Sequence, residues 1–488
     1  VVNLAQRTLN RGLFERVFSL MELVERIPDD LSDEEVEGIT ALLPTDVAQT
    51  VTAFLEPRVR RAGIFFLKMI ARWMREAVEA KSSGKKVIFV PFNFVPELIH
   101  AFKSAVPLTS EVLSSLGAAA VKGKGHVYWD FAMGLGIPDH LCSSSTIELG
   151  SMLSGTDMTA DAIISSAAGA CDANAKIHEF AANYLGIPQF VLEKPVDDTS
   201  KGIEQYEKNF LRLTESLERF TGEALSEEGL QEVASNINRA SEIYYEIWEM
   251  KKLVPCPVPN LFSFFMYGCR FTMWGRKESV DFFELMAKEV KEGIAKGKFK
   301  QIPEKVRCGW LYTGYYIDYA GLFSWMQDKG YSYLWDILDL FFPEPISIES
   351  RESILSGICE SSRRFPMTRQ MGAESMSAAW LEDAAHIARE LSADCAIFCG
   401  HHACKQTWSV ISMVSRELQR ISGIPTLNLQ GDAWLSRVTP ISVIQSEIDS
   451  FVRNVIRNKG ERRKIRRRKG WRTTQYPTLA TGLEDERE

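Results

Sequence analysis

Thiols are the residues most able to do chemistry in this chain. The nine cysteines stand at 142, 171, 256, 269, 308, 359, 395, 399 and 404. An odd number of cysteines in a large chain is a poor disulfide framework, and it leaves thiols for metal or redox work. The plain alternative is that most are small buried apolar residues. Two of them occupy matching places in a repeated unit. Asp161 is followed by Ile164 three residues on, Ala170 nine on and Cys171 ten on; Asp394 is followed by Ile397, Ala403 and Cys404 at the same offsets. Each cysteine opens a helical stretch closed by the same tripeptide, Gly186-Ile187-Pro188 and Gly423-Ile424-Pro425. Each tripeptide leads into a further strand, closing at Pro195 or Asp432.

A strand–cysteine–helix–strand unit places the thiol where ligands bind in open α/β sheets, beyond the strand carboxyl ends and beside helix N-termini. Unpaired N–H groups there favour a thiolate and also a negatively charged inorganic cluster. Two such units could hold one cofactor between them. The alternative is that Cys171 and Cys404 are small residues at crowded turns. Cys142, followed by Ser143-Ser144-Ser145-Thr146, is a third thiol at a helix start.

The elements that must position these thiols read as an α/β protein: two flavodoxin- or Rossmann-like parallel-sheet domains, an N-terminal helical region and a helical connector. The expected division is a helical region at 1–85, a first α/β domain at 86–200, a connector at 201–300, a second α/β domain at 301–458 and a charged, disordered tail at 459–488. β-type runs occur at 86–90, 162–164, 189–192, 306–312, 395–398 and 426–429. Ser32 with Glu35 forms a capping box. The chain carries 488 residues, too many for one ordinary core.

A formal charge of −7 argues against nucleic-acid or anionic-membrane binding over the whole surface. Eleven Lys or Arg nevertheless fall between Arg453 and Arg472. That run reads as a solvated tail, the other readings being contact with the phosphates of a ligand or with an acidic face of a partner. No apolar run reaches the roughly 20 residues of a membrane helix. Val1-Val2-Asn3-Leu4 lacks the zones of a signal peptide, so the expected location is cytoplasmic. G-x-G-x-x-G after a strand, the phosphate-binding G-x-x-x-x-G-K-[ST], H-E-x-x-H and G-x-S-x-G are all missing. Any ATP use therefore belongs to a partner.

Four stretches together resemble the subunits of the 2-hydroxyacyl-CoA dehydratase and benzoyl-CoA reductase family, in its iron–sulfur D-component type. They are Val95-Pro96-Glu97-Leu98-Ile99-His100-Ala101, Cys142-Ser143 ahead of Gly150, Cys171-Asp172 through Gly186-Ile187-Pro188 to Pro195, and Cys404-Lys405 through Gly423-Ile424-Pro425 and Asp432 to Thr439, Gln445 and Phe451. The resemblance covers roughly residues 87–456. It implies that Cys142, Cys171 and Cys404 hold a [4Fe–4S] cluster with one open iron. Their spacing is unlike a ferredoxin run and does not by itself reveal such a site. It further implies an acyl-CoA thioester substrate, one-electron reduction to a ketyl radical and loss of water to an enoyl-CoA. The implied partners are a related second subunit, in a hetero- or homodimer, and a separate ATP-hydrolysing iron–sulfur activator. Ring reduction of the benzoyl-CoA type is the alternative chemistry. A non-catalytic electron-transfer or scaffold subunit, or a relative with a double cluster, is the alternative role. The family often has a second acidic residue three after the position of Asp432, where this chain has Leu435.

Other residues have weaker claims. Glu97, soon after a strand end, is a candidate base or substrate contact, or else a capping or exposed carboxylate. His401 and His402 flank the turn before Cys404, where a histidine could donate to a sulfide or move a proton, or simply be hydrogen bonded. Asp432 and Arg437 either pair with each other or orient a ligand. Cys395, Cys399, His401, His402 and Cys404 could suggest a local zinc site, but Cys395 and Cys399 fall in or at the end of an apolar strand, where burial is expected.

Overall fold

The computed structural model describes residues 22–43, 45–109, 111–112, 125–154, 160–167, 171–194, 199–366 and 378–456. The expected charged tail lies outside them. The fold is two-domain α/β, built on two four-stranded, all-parallel sheets with helices around them. The first contains β1 (Lys86–Val90), β2 (Ala105–Thr109), β3 (Ala162–Ala167) and β4 (Gln189–Glu193), in the order β2-β1-β3-β4. The second contains β5 (Val306–Trp310), β6 (Tyr331–Trp335), β7 (Cys395–Phe398) and β8 (Thr426–Asn428), in the equivalent order β6-β5-β7-β8. Helices cover the span between β4 and β5, and no helix of the described residues is long and apolar enough to cross a membrane.

The repeated unit is a repeat of structure. Asp161 donates its N–H to the Val87 carbonyl and accepts the Val87 N–H on its carboxylate; Asp394 does both with Arg307. In each sheet the aspartate thus sets the register of the third strand against the first. Gly186 and Gly423 end their helices in the left-handed conformation, with φ of 67° and 69°. Without a Cβ this C-cap is unstrained, and the following proline cannot prolong the helix. The proline carbonyl is then used by the sheet: Ile163 N–H donates to Pro188 and Ala396 N–H to Pro425.

β2 and β6 were not expected from the sequence. Both are edge strands of five residues. Pro107 is tolerated inside β2 because an edge strand has a side that makes no ladder bonds. In both sheets the chain crosses from an edge strand back over the first strand to the third, leaving a crevice at the carboxyl ends of β1/β3 and of β5/β7. Contacts such as Ser143 to Asp432 and Arg437 to Asp130 join the two halves there.

Candidate metal centre at three helix N-termini

Cys142, Cys171 and Cys404 are each the residue before a helix: Ser143–Ser154, Asp172–Leu185 and Lys405–Ser422. Each cysteine carbonyl accepts the first bond of its helix, from Thr146 (2.9 Å), Ala175 (3.2 Å) and Trp408 (3.2 Å). Their thiols therefore lie at the positive ends of three helices. Ala403 reaches this position with φ of 63°, a left-handed conformation costly for a residue with a Cβ. Cys404 follows β7, Cys171 follows β3 and Cys142 comes from the crossover between β2 and β3. Residues from both sheets thus meet at one place.

Their electrostatics record the proximity. Burial first, then the neighbouring sulfurs of Cys171 and Cys404, push the Cys142 thiol well above its usual pKa. Burial pushes Cys171 up to about 12, opposed by the backbone N–H of Asn174, with Cys404 adding to the rise. Tyr312, just past β5, has its hydroxyl 3.7 Å from Cys404 Sγ, and all three sulfurs raise its pKa after burial. Among the described residues, the one His/Cys/Asp/Glu group with ligand atoms all within 4.8 Å does not include these cysteines. At least one pair of the three sulfurs is therefore more than 4.8 Å apart, yet they are close enough to repel one another as thiolates. Soft thiolates in this arrangement, with helix N–H groups behind them, fit a multi-iron cluster better than one metal ion.

His401 lies against one of these sulfurs. Its Nδ1 accepts the Ala433 N–H at 3.3 Å and its Nε2 lies 3.1 Å from Cys142 Sγ. Burial holds the imidazole below its usual pKa. A neutral ring with Nδ1 accepting must carry its proton on Nε2, which therefore donates to the sulfur. Asp432 is fully buried, and its Oδ1 accepts from Ser143 Oγ (2.7 Å) and the N–H groups of Trp434 and Leu435 (2.8 Å each). Ser143 follows Cys142 directly, so this carboxylate ties the Cys142 turn to the second sheet. Leu435, standing where the family often has an acid, is itself buried and supports Asp432 through its backbone.

For two open choices the structure removes one of the alternatives. Arg437 does not pair with Asp432: its guanidinium binds Asp130 at 2.8 Å and lies 4.4 Å from the centre of the Trp129 ring. The local turn directs Asp432 inward to its own backbone N–H groups and leaves Arg437 half-exposed. Glu97 is neither exposed nor a solvated cap. It is buried 3.6 Å from Arg270, and burial, opposed by that cation, raises its carboxyl to about 7. Arg270 in turn packs over the rings of Phe341 and Trp274. Cys395 faces Cys308 Sγ and Cys399 faces the Gly314 carbonyl, each at 3.7 Å and buried.

The sequence reading missed Tyr312, Ser143 and a buried polar network. His178 and Asn174 reach from the Cys171 helix to Glu148 on the Cys142 helix at 2.6 and 3.4 Å, and Asn174 also donates to Glu111 at 2.6 Å. This network locks the two cysteine-bearing helices together. Its one local signal was the spacing of Asn174 and His178, four apart on one helical face.

The two parallel sheets and the cysteine-bearing crevice define an α/β protein with a thiol-lined centre. The chain belongs to the 2-hydroxyglutaryl-CoA dehydratase, D-component family, which it matches over residues 91–454. No curated protein matches it. Membership makes it a dehydratase-type enzyme component.

Proposed function

We propose that this chain is the [4Fe–4S]-holding subunit of a 2-hydroxyacyl-CoA dehydratase-type lyase, with Cys142, Cys171 and Cys404 as cluster ligands. The observation that carries this reading is the meeting of three N-capping cysteines from both sheets at one crevice. When bound, such a cluster would supply one-electron reduction and Lewis-acid contact to a thioester carbonyl on the ketyl route to an enoyl-CoA and water. The chain's own residues have supporting roles. His401 donates to the Cys142 sulfur, Tyr312 lies against the Cys404 sulfur, and Asp432 holds the Cys142 turn through Ser143. The electron would come from a separate ATP-hydrolysing activator, and a related subunit would complete the assembly.

A second reading, a supporting subunit that holds a cluster without turning over substrate, is favoured by the buried Leu435 in place of a second acid. Anaerobic purification with iron and sulfide analysis tests the shared claim. About four irons per chain are expected, falling by more than half in Cys142→Ser, Cys171→Ser and Cys404→Ser. An iron-free wild-type chain after reconstitution overturns it. Activator, ATP, reductant and 2-hydroxyacyl-CoA thioesters then separate the readings, because only the catalytic subunit supports enoyl-CoA formation.

A further inference from the structure

Most walls of one cavity stand before residue 91, where the family match begins. It measures about 470 Å³ and lies between residues 23–28, the helices Asp33–Ala41, Thr45–Phe54 and Arg60–Glu79, and the helix Phe262–Thr272. Its lining is almost wholly apolar; among the described residues Arg26 is the one charged lining residue, and it is exposed. Leu23 and Leu42, also lining residues, are 54% and 86% exposed and give the mouth an apolar rim. An apolar surface of this kind marks a contact with something that covers it.

The chain that leads into the cavity has the right position and pattern to be that cover. Residues 1–21 lie outside the described residues and join the structure at Glu22, beside the wall residues Leu23 and Val24. At about 100° per residue, every Leu, Val, Phe and Met from Leu9 to Met21 falls on one half of a helix circumference. Arg11, Gly12, Glu15, Arg16 and Ser19 fall on the other half, and Asn10 alone is polar on the apolar one. Residues 22–24 are themselves helical, which sets the phase. Continued backwards, the apolar half faces the side on which Val24 is buried, and the polar half the side on which Glu22 and Leu23 meet solvent. A helix this short is marginal in water by itself and takes its stability from burying an apolar face. Thirteen helical residues span about 20 Å, ample for a space of about 470 Å³.

We propose that residues 9–21 form an amphipathic helix that packs its apolar half over this cavity, within the same chain, and closes it. Leu13, Val17 and Leu20, which share the direction of Val24, are the side chains that enter the space. Nothing in this closure depends on the cysteines, so it stands or falls apart from the proposed function. Photo-crosslinking of the full chain tests it. The photoreactive residue p-benzoylphenylalanine is placed at Leu13, at Leu20 or, as a control on the polar half, at Glu15, and crosslinked peptides are identified by mass spectrometry.

Positions 13 and 20 should each crosslink, within one chain, to peptides from residues 39–51 or 264–268, and position 15 should not. Crosslinks between two chains would make a second copy the occupant and overturn the proposal. Failure of both apolar positions to reach these walls overturns it too, as does equal capture from position 15. A fatty acid or other apolar molecule recovered stoichiometrically from the purified protein would make the cavity a ligand site, with the same consequence. Val17→Asp sets a carboxylate against apolar walls, where no buried cation replaces its water. In the full chain it should raise the fluorescence of an anilinonaphthalene sulfonate dye at least threefold and speed amide exchange in residues 39–51. Ser19→Asp, on the polar half, should change neither. Unchanged dye fluorescence in Val17→Asp overturns the closure. If Val17→Asp fails to fold, the crosslinks decide alone.

Discussion

Replacing Gly400 with alanine would set a methyl group 1.8 Å from the Leu429 carbonyl oxygen and 2.5 Å from the Trp408 ring. Real Cβ atoms essentially never approach closer than 3.0 Å, so the segment from Gly400 to Cys404 must move more than 1 Å from the extension of β8. That movement breaks the bonds from Gly431 N–H to the Gly400 carbonyl (2.9 Å) and from His402 N–H to the Gly431 carbonyl (2.8 Å). Two lost hydrogen bonds cost about 1 kcal/mol each, and overpacking adds about 1–3 kcal/mol, for roughly 3–5 kcal/mol in all. Gly423→Ala is the control. Its φ of 69° is left-handed, which that of Gly400 is not, and nothing lies within 4 Å of its added Cβ, so the cost is the backbone term of about 1–2 kcal/mol. Thermal unfolding followed by circular dichroism, with iron content after anaerobic reconstitution, compares the two. Gly423→Ala should melt slightly early and bind iron normally; Gly400→Ala should melt much earlier and lose at least half its iron. Equal melting and full iron in Gly400→Ala would refute the close-approach argument.

In iron-loaded protein, His401→Ala removes the N–H donated to Cys142 and should lower the reduction potential by on the order of tens of millivolts. An EPR-monitored redox titration reads this, and an unchanged potential contradicts the assigned tautomer. The Glu97 carboxyl is raised by burial to about 7 in the folded state, from an ordinary 4.5. The folded protein therefore retains a proton that the unfolded chain releases, and stability should fall as pH rises from 4.5 to about 7, by up to about 1.4 kcal/mol per pH unit. Urea unfolding across that range should show this slope in wild type and a reduced slope in Glu97→Gln; identical slopes would show that Glu97 does not titrate as its burial implies.

Local chemistry made much of this molecule legible in advance. Gly-Ile-Pro, met twice, marks helix ends because only glycine enters the left-handed C-cap freely and proline cannot continue a helix. Asp161 and Asp394 stood at equal offsets from their cysteines because each performs the same strand-aligning bond. Six strands were readable from short β-type runs, whereas β2 carries Pro107, which weakens such a signal, and β6 is a five-residue aromatic edge following a helix. Both depend on the neighbouring strand for their identity. Asp432 and Arg437 show the converse case: nearness in sequence left an ion pair open beside ligand orientation, but the turn between them sends one side chain inward and the other to Trp129 and Asp130.

The sequence by itself determined that Cys142, Cys171 and Cys404 begin helices, since hydroxyl residues, strand ends and helix periodicity act over a few residues. Only the tertiary structure decided that these three helix starts share a crevice, with His401 against one sulfur and Tyr312 against another. That outcome depends on how two separate sheets turn their carboxyl edges toward each other and on the Ser143–Asp432 bond between them. The packing of distant surfaces sets those distances, and no local pattern of residues encodes them.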